Sequence, residues 1–91
     1  MSVSVRIPTI LRSYTGGAAE VTVVPGTLRD VISHLDGSYP GLGARLLDDS
    51  GRLRRFVNVY VGEEDVRFAG GLDTPVPAGS RVSVIPAVAG G

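Results

Sequence analysis

The sequence of 91 residues contains no cysteine, no lysine and no tryptophan. The absence of cysteine excludes disulfide bonds, thiolate metal sites and a cysteine nucleophile. All nine basic residues are arginine, so no side chain can accept an acyl group in an isopeptide linkage, although the α-amino group could react. A base-composition bias of the genome explains the missing lysines, and so would a need to keep amines away from an activated carboxyl group.

Net charge and long hydrophobic runs are also missing. The formal net charge is zero, which argues against nucleic acid as the main partner. No apolar run is long enough to span a membrane, and residues 1–12 alternate instead of forming the apolar core of a signal peptide. We therefore expect a cytoplasmic protein without a membrane partner, built as one small domain and monomeric when free.

Alternating and β-branched segments predict strands. Residues 3–7 and 20–24 flank a Gly16-Gly17 turn and predict a hairpin. Residues 56–61 predict the strongest strand, which residues 62–65 turn toward a short strand at 66–68. Residues 72–79 are predicted to be irregular, and residues 81–85 form the last strand.

One amphipathic helix is predicted after the second strand. Thr27 is the expected N-cap, with Asp30 at the capping-box position, and Gly37 and Pro40 end the helix. Its apolar face consists of Leu28, Val31, Ile32 and Leu35. Residues 44–47 predict a further short helical turn. A single helix packed on a mixed sheet of about five strands buries these faces economically, so the predicted fold class is α+β, a β-grasp at residues 1–85 with a flexible C-terminal tail at 86–91.

The sequence offers no catalytic machinery of its own. His34 lies off the apolar stripe without a partner cluster, so we interpret it as a solvated helix residue. The acidic residues 63–65 and 48–49 are interpreted as solvated turns, and no metal site is expected. No serine, histidine and acid form a recognisable nucleophilic arrangement. The basic cluster of Arg52, Arg54 and Arg55 is either a solvated loop or a contact for an acidic partner or for the phosphates of a nucleotide.

The sheet face turned away from the helix is predicted to be a docking surface. If Val57, Val59 and Val61 face the helix, their neighbours in the strand face outward. The outward residues with docking chemistry are Phe56, Tyr60, Ile85, Arg6 and Arg81. Aromatic residues and arginine are enriched at interfaces, although long loops covering this face would explain its apolar character equally well.

The sequence ends Pro86-Ala87-Val88-Ala89-Gly90-Gly91. The last two residues carry no side chain, so a terminal carboxylate at Gly91 can enter a channel that would reject a Cβ atom. Extended, this tail reaches roughly 20 Å from the domain. We expect it to be mobile in the free protein, and to be accessible to another protein's active site. A chance diglycine on a disordered terminus is the alternative.

Together these residues resemble the ubiquitin-like sulfur carrier proteins, which include the small subunit of molybdopterin synthase and the thiamine-pathway carrier. The resemblance spans nearly the whole chain. It depends on the β-β-α-β-β-β order and on the segments Arg55-Phe56-Val57-Asn58-Val59-Tyr60-Val61, Gly71-Leu72-Asp73-Thr74 and Val84-Ile85-Pro86, followed by the terminal diglycine. Residues 7–12 and 55–68 most resemble the actinobacterial cysteine-biosynthesis carrier. Thiamine-pathway carriers are shorter, with a smaller middle loop, whereas the molybdopterin type is not excluded.

The resemblance implies a co-substrate protein and not an enzyme. A ubiquitin-activating-like adenylyltransferase and sulfurtransferase would use ATP to adenylate the Gly91 carboxylate, and sulfur would replace AMP to leave a thiocarboxylate. Gly90, Ala89 and Val88 would give the tail access, and the chain itself would bind no cofactor. The sulfur would pass to an acceptor such as a pyridoxal-phosphate cysteine synthase. A molybdopterin synthase subunit, a ubiquitin-like modifier and a plain β-grasp interaction domain remain the alternatives.

Overall fold

The computed structural model describes residues 2–55 and 57–86. The strands in these ranges are β1 (Val3–Arg6), β2 (Glu20–Val23), β3 (Gly26–Thr27), β4 (Val57–Val61), β5 (Glu64–Asp65), β6 (Pro75–Val76) and β7 (Arg81–Pro86). The α-helices are α1 (Leu28–Ser38) and α2 (Leu42–Leu46). Short 3-10 helices occupy Thr9–Thr15, Val66–Phe68 and Gly71–Asp73.

The main sheet has five strands in the order β2-β1-β7-β4-β5. The central pair β1 and β7 is parallel, and the other pairs are antiparallel. The predicted hairpin of β1 and β2 is confirmed, with Val3 opposite Val23. With α1 packed on one face, this mixed sheet is the predicted β-grasp. The helix crosses between two hairpins, and the first and last strands, β1 and β7, are neighbours in the sheet.

The first turn of α1 is fastened by a reciprocal capping box. The Thr27 hydroxyl accepts a hydrogen bond from the Asp30 amide at 3.3 Å, and the Asp30 carboxylate accepts one from the Thr27 amide at 3.1 Å. These bonds satisfy two amides that the helix itself leaves unpaired. The hydrogen bond from the Thr27 amide, with that from its hydroxyl, lowers the pKa of Asp30. The helix therefore begins where the sequence predicts.

The core lies between α1 and the inner face of the sheet. The predicted stripe of Leu28, Val31, Ile32 and Leu35 is buried. Facing it are the strand residues Val3, Val5, Val21, Val57, Val59, Val82 and Val84. Leu42 and Leu46 of α2 belong to the same core. The helix itself, Leu42–Leu46, confirms the helical turn predicted near residues 44–47.

The segment after β4 corrects one prediction. Residues 62–65 are not all turn, because Glu64 pairs with Val61 and Asp65 with Tyr60 to form β5. Gly62 adopts φ 64°, a conformation that glycine adopts without steric cost, and this lets two residues close the hairpin. The predicted strand at 66–68 was wrong: it is a 3-10 helix, begun by the Asp65 carboxylate accepting from the Arg67 amide at 2.9 Å.

Two further elements were not predicted. Within the segment expected to be irregular, Pro75–Val76 pairs with Gly26–Thr27 as a two-residue ribbon beside the start of α1. The connection between β1 and β2 contains the 3-10 helix Thr9–Thr15, whose Leu11 and Thr15 are buried. The last strand continues one residue past its predicted end, since Pro86 pairs with Val57.

Candidate functional site: the open sheet face and the base of the tail

Four of the predicted docking residues, Arg6, Tyr60, Ile85 and Arg81, lie on the outer face of the sheet. Arg6 lies beside Ser83, and Tyr60 lies opposite Ser83 on the other side of β7. Ile85 lies opposite Asn58, one step closer to the tail. Arg6 is exposed, Tyr60 is half-buried, and Ile85 is 49% exposed. Strand alternation therefore brings a cation, an aromatic ring and an aliphatic side chain to one surface.

The opposite end of this face is different. Arg81 forms an ion pair with Glu20, with 3.4 Å between Arg81 Nη2 and Glu20 Oε2. Both side chains are about half exposed, so water screens the pair and its contribution to stability is small. Arg81 thus lies at the other end of β7 from Ile85, and its charge is paired with that of Glu20. The apolar part of the open face is the part next to Pro86.

The predicted docking residue Phe56 lies outside the described residues. So do the predicted tail residues Val88, Ala89, Gly90 and Gly91. What the structure does describe is the base of the tail, where Pro86 pairs with Val57 at the end of β7.

Arg67 organises the backbone beside the base of the tail, and the sequence analysis missed this role. Its Nη1 donates to Asn58 Oδ1 at 3.0 Å. Its Nη2 donates to three backbone carbonyl oxygens: Arg54 at 2.9 Å, Arg55 at 3.0 Å and Val57 at 2.8 Å. One guanidinium therefore ties together the backbone that leads into β4, next to the base of the tail. No local sequence pattern predicts these hydrogen bonds of Arg67, because its acceptors lie nine to thirteen positions away in the sequence.

The predicted basic cluster does not form a single site. Arg54 is attached to α2, since its amide donates to the Leu46 carbonyl and its Nε donates to the Ala44 carbonyl, both at 2.9 Å. Arg52 and Arg55 are exposed at their own positions in the loop. The neighbouring Asp48 accepts amide hydrogen bonds from Arg52 and Ser50. These bonds, that from Arg52 above all, lower the pKa of Asp48.

The other polar residues behave as solvated surface. His34 is exposed, as predicted, and so are Glu63 and Glu64. Within residues 2–55 and 57–86, no group of three or more His, Cys, Asp or Glu residues has a geometry that could hold a metal ion. The described helices include none with the length and hydropathy needed to cross a membrane.

Comparison with known proteins decides the family. The sequence matches the ThiS family over residues 5–91. The chain belongs to the ThiS family. It is 54% identical to the sulfur carrier protein CysO of Mycobacterium tuberculosis, in an alignment that covers all of both chains. A molybdopterin synthase sulfur carrier subunit of Pyrenophora tritici-repentis is 29% identical over 87% of this chain and 78% of that protein.

Solved structures show the same fold. The crystal structure of M. tuberculosis CysO superposes with a TM-score of 0.90 at 52% identity, covering 94% of this chain and 99% of that one. CysO in the BexX/CysO complex of Amycolatopsis orientalis gives a TM-score of 0.91 at 46% identity, covering 98% and 99%. This ThiS-family chain is a sulfur carrier protein like CysO, and therefore a small carrier and not an enzyme.

Proposed function

We propose that this protein carries sulfur as a thiocarboxylate on Gly91. In the first step, the Gly91 carboxylate attacks the α-phosphate of ATP on a ubiquitin-activating-like enzyme, and pyrophosphate leaves. In the second, sulfide attacks the acyl carbon, the acyl–oxygen bond breaks, AMP leaves, and the sulfur loses its proton. The resulting thiocarboxylate then donates its sulfur to an acceptor enzyme.

The observation that carries this proposal is the full-length relationship to sulfur carriers, which reaches the diglycine. The ThiS match extends to Gly91, and the CysO alignment covers the whole chain. The domain contributes by placing β7 at the centre of the sheet, so that the strand leading to the tail is anchored on both sides. In this proposal the domain up to Pro86, the last residue of β7, forms the rigid handle, and residues 87–91 form the arm that enters an active site.

The composition suits this chemistry. A carboxylate is a poor electrophile, and conversion to an acyl adenylate supplies a leaving group. Because a thioacid is more acidic than a thiol, the product is ionised at neutral pH and nucleophilic. The chain contains no cysteine that could capture the activated acyl group and no lysine that could form an isopeptide bond with it. The sulfur is therefore held at the terminus alone.

The open sheet face is the proposed docking surface for the activating enzyme. Ile85 and Tyr60 would supply apolar contact next to the base of the tail, and Arg6 a cation at its side. Phe56 and Arg81 complete the proposed set. Aromatic and arginine side chains near the centre of an interface commonly contribute most of the binding energy.

The proposed pathway is cysteine biosynthesis in the cytoplasm, with a pyridoxal-phosphate cysteine synthase as the acceptor. The relationship to CysO, at 54% identity over the full length, favours this assignment over a molybdopterin synthase subunit, whose example is 29% identical over a shorter alignment. The tail chemistry is common to both pathways, so the acceptor enzyme is what distinguishes them.

Intact-mass analysis tests the proposal directly. The carrier is incubated with ATP, a sulfur source and the activating enzyme of the same cell. We expect a mass gain equal to the replacement of one oxygen by sulfur, which fragmentation locates at Gly91. A variant with one residue appended to Gly91 is the matched control, because it keeps the fold but moves the carboxylate by about 3.5 Å. If no adenylate or thiocarboxylate forms with any activating enzyme of that cell, the protein is a plain interaction domain.

A second assay identifies the acceptor. The purified thiocarboxylate is offered separately to the cysteine synthase and to the large subunit of molybdopterin synthase from the same cell. Transfer of sulfur to the cysteine synthase product supports the proposed pathway, whereas transfer only to the molybdopterin precursor assigns the chain to the alternative.

A further inference from the structure

A groove lies beside the base of the tail, on the helix side of the sheet. Strand alternation turns Ile85 to the open face and the next residue, Pro86, to the opposite side. Pro86 lines the groove together with Leu11 and Val57, whose side chains are buried and form an apolar floor. Ile10, 70% exposed, stands at its edge. The groove encloses about 500 Å³, enough for one or two side chains.

Two arginines border this apolar floor, and both are held in place. Arg45 Nε donates to the Tyr14 hydroxyl at 2.6 Å, and the guanidinium lies 5.7 Å from the centre of the Tyr14 ring. Arg54 Nε donates to the Ala44 carbonyl at 2.9 Å. The Arg54 backbone is fixed as well, through its bonds to Leu46 and Arg67. These bonds restrict the rotamers that the two side chains can adopt.

In both arginines the Nε atom makes the anchoring hydrogen bond, and the two Nη atoms are left to donate to a ligand. Within the described residues, neither Arg45 nor Arg54 forms a salt bridge, and no Nη atom of either donates a side-chain hydrogen bond. A guanidinium presents its donors as a planar fork that matches a carboxylate. Fixing the fork in advance reduces the entropy lost when a carboxylate binds.

We infer that this groove docks a segment of a partner protein that presents an aspartate or glutamate next to an apolar side chain. The carboxylate binds between Arg45 and Arg54, and the apolar side chain covers Leu11 and Val57. This inference rests on the proposed function, because the partner is the enzyme that takes in the tail.

The position of the groove favours a protein over a small ligand. β7 ends at Pro86, which lines the groove and follows Ile85 of the open face, so an enzyme that encloses the tail approaches both surfaces. The groove is open to solvent, and a small anion would fill only a part of its volume of about 500 Å³. A protein segment gains further area from the adjoining surface, as an interface of standard size requires.

Binding affinity of the full-length carrier for the activating enzyme, and separately for the sulfur-accepting enzyme, tests this inference. We expect Arg45→Gln and Arg54→Gln each to weaken binding to at least one of the two enzymes by about tenfold or more. Arg45→Lys keeps the charge but loses the planar fork, so its affinity should fall between those of Arg45→Gln and the unaltered protein. Tyr14→Phe removes only the bond that orients Arg45 and should have a smaller effect in the same direction.

The matched control is Arg52→Gln, which removes an equal charge from an exposed position outside the groove. Its affinity should stay within about twofold of the unaltered protein, and the melting temperatures should verify that all variants fold. If Arg52→Gln weakens binding as much as Arg54→Gln, the effect is general charge attraction and the inference is wrong. If both groove variants bind both enzymes normally, it is also wrong, while the proposed function stands. If the unaltered carrier binds neither enzyme, the proposed function itself fails.

The chain's own tail is the competing occupant. It is tested by the NMR signal of a ¹³C-labelled Gly91 carboxylate in the isolated full-length carrier. We expect this signal to be the same in the unaltered protein and in Arg45→Gln. A shift in the variant, together with unchanged enzyme affinity, would assign the groove to the tail and overturn the partner assignment.

Discussion

The two faces of the central sheet are made by alternate residues of the same strands, but they do different work. On β4 the inward residues Val57 and Val59 are buried, while the outward residues Asn58 and Tyr60 are only half-buried. The inner face consists almost entirely of valine, whose β-branched side chain suits a pleated surface. The outer face mixes serine, arginine, asparagine, tyrosine and isoleucine. The residues of the inner face are therefore constrained by packing in the core. The residues of the outer face are less constrained by packing, and we expect contacts with partner proteins to constrain them.

The difference separates stability from function along single strands. Substitutions on the inner face should change the free energy of unfolding, because they leave a cavity in a closed core. Substitutions on the outer face and in the tail should change partner chemistry while the fold persists. The comparison of the two faces is tested by substitutions at adjacent positions of one strand, which point to opposite faces. Substitutions in the tail add a test in which the domain is unchanged.

The largest expected effect is functional and lies in the tail. Gly90→Val should reduce thiocarboxylate formation by several orders of magnitude, because a branched side chain restricts the backbone and displaces the carboxylate from its reacting geometry. The measurement is the single-turnover rate of mass gain with saturating activating enzyme. Its melting temperature should equal that of the unaltered protein. A Gly90→Val protein that is thiocarboxylated at the normal rate would remove the steric argument for the diglycine.

The neighbouring pair Val59 and Tyr60 compares the two faces directly. Val59→Ala should lower the free energy of unfolding by about 1–3 kcal/mol through lost burial and a residual cavity, as measured by urea denaturation. Tyr60→Ala should cost less stability but weaken binding to the activating enzyme. If Tyr60→Ala unfolded the protein and Val59→Ala had no effect, the assignment of the two faces would be reversed.

The smallest expected effect concerns the capping box, which lies away from both faces. Thr27→Ala should cost about 1 kcal/mol of stability with no change in partner binding. The pKa of Asp30 is lowered in the folded protein from its ordinary value of 3.8, so its contribution is present above pH 3.8 and is lost as the pH falls through the lower, folded value. Thr27→Ala should change this part of the stability profile little, because the Thr27 amide still donates to the Asp30 carboxylate, whereas Asp30→Asn removes the titrating group and should flatten the profile below pH 3.8. Thermal denaturation from pH 2 to 6 measures it, and an unchanged acid slope in Asp30→Asn would contradict the role of the box.

Much of the fold could be predicted from local patterns. Strand alternation located β1, β2, β4 and β7, and Thr27 with Asp30 located the start of α1, because these signals depend on neighbours within a few residues. The errors occurred where short elements depend on distant partners. The ribbon of β3 and β6 joins residues about 50 positions apart, and the segment after Asp65 became a 3-10 helix although Val66-Arg67-Phe68 alternates like a strand.

In the candidate site, too, features set by local sequence patterns were predicted, and contacts between distant segments were not. The outward positions of Arg6, Tyr60 and Ile85 followed from a period of two, and the ion pair of Arg81 with Glu20 did not, because it crosses β1. The basic residues at 52–55 were visible as a cluster in the sequence. The structure separates them, attaching Arg54 to α2 and placing it near Arg45, nine positions earlier.

The sequence by itself determined the inner valine face, the helix with its cap, the absence of any thiol or lysine side chain, and the diglycine, since each is a property of composition or of short-range spacing. Only the tertiary structure decided the parallel pairing of β1 with β7, which places the strand leading to the tail at the centre of the sheet. It also decided that Arg67 binds the carbonyls of Arg54, Arg55 and Val57, and that Arg45 and Arg54 border one groove. These arrangements join residues from separate segments, and they arise only when the packing of the core brings those segments together.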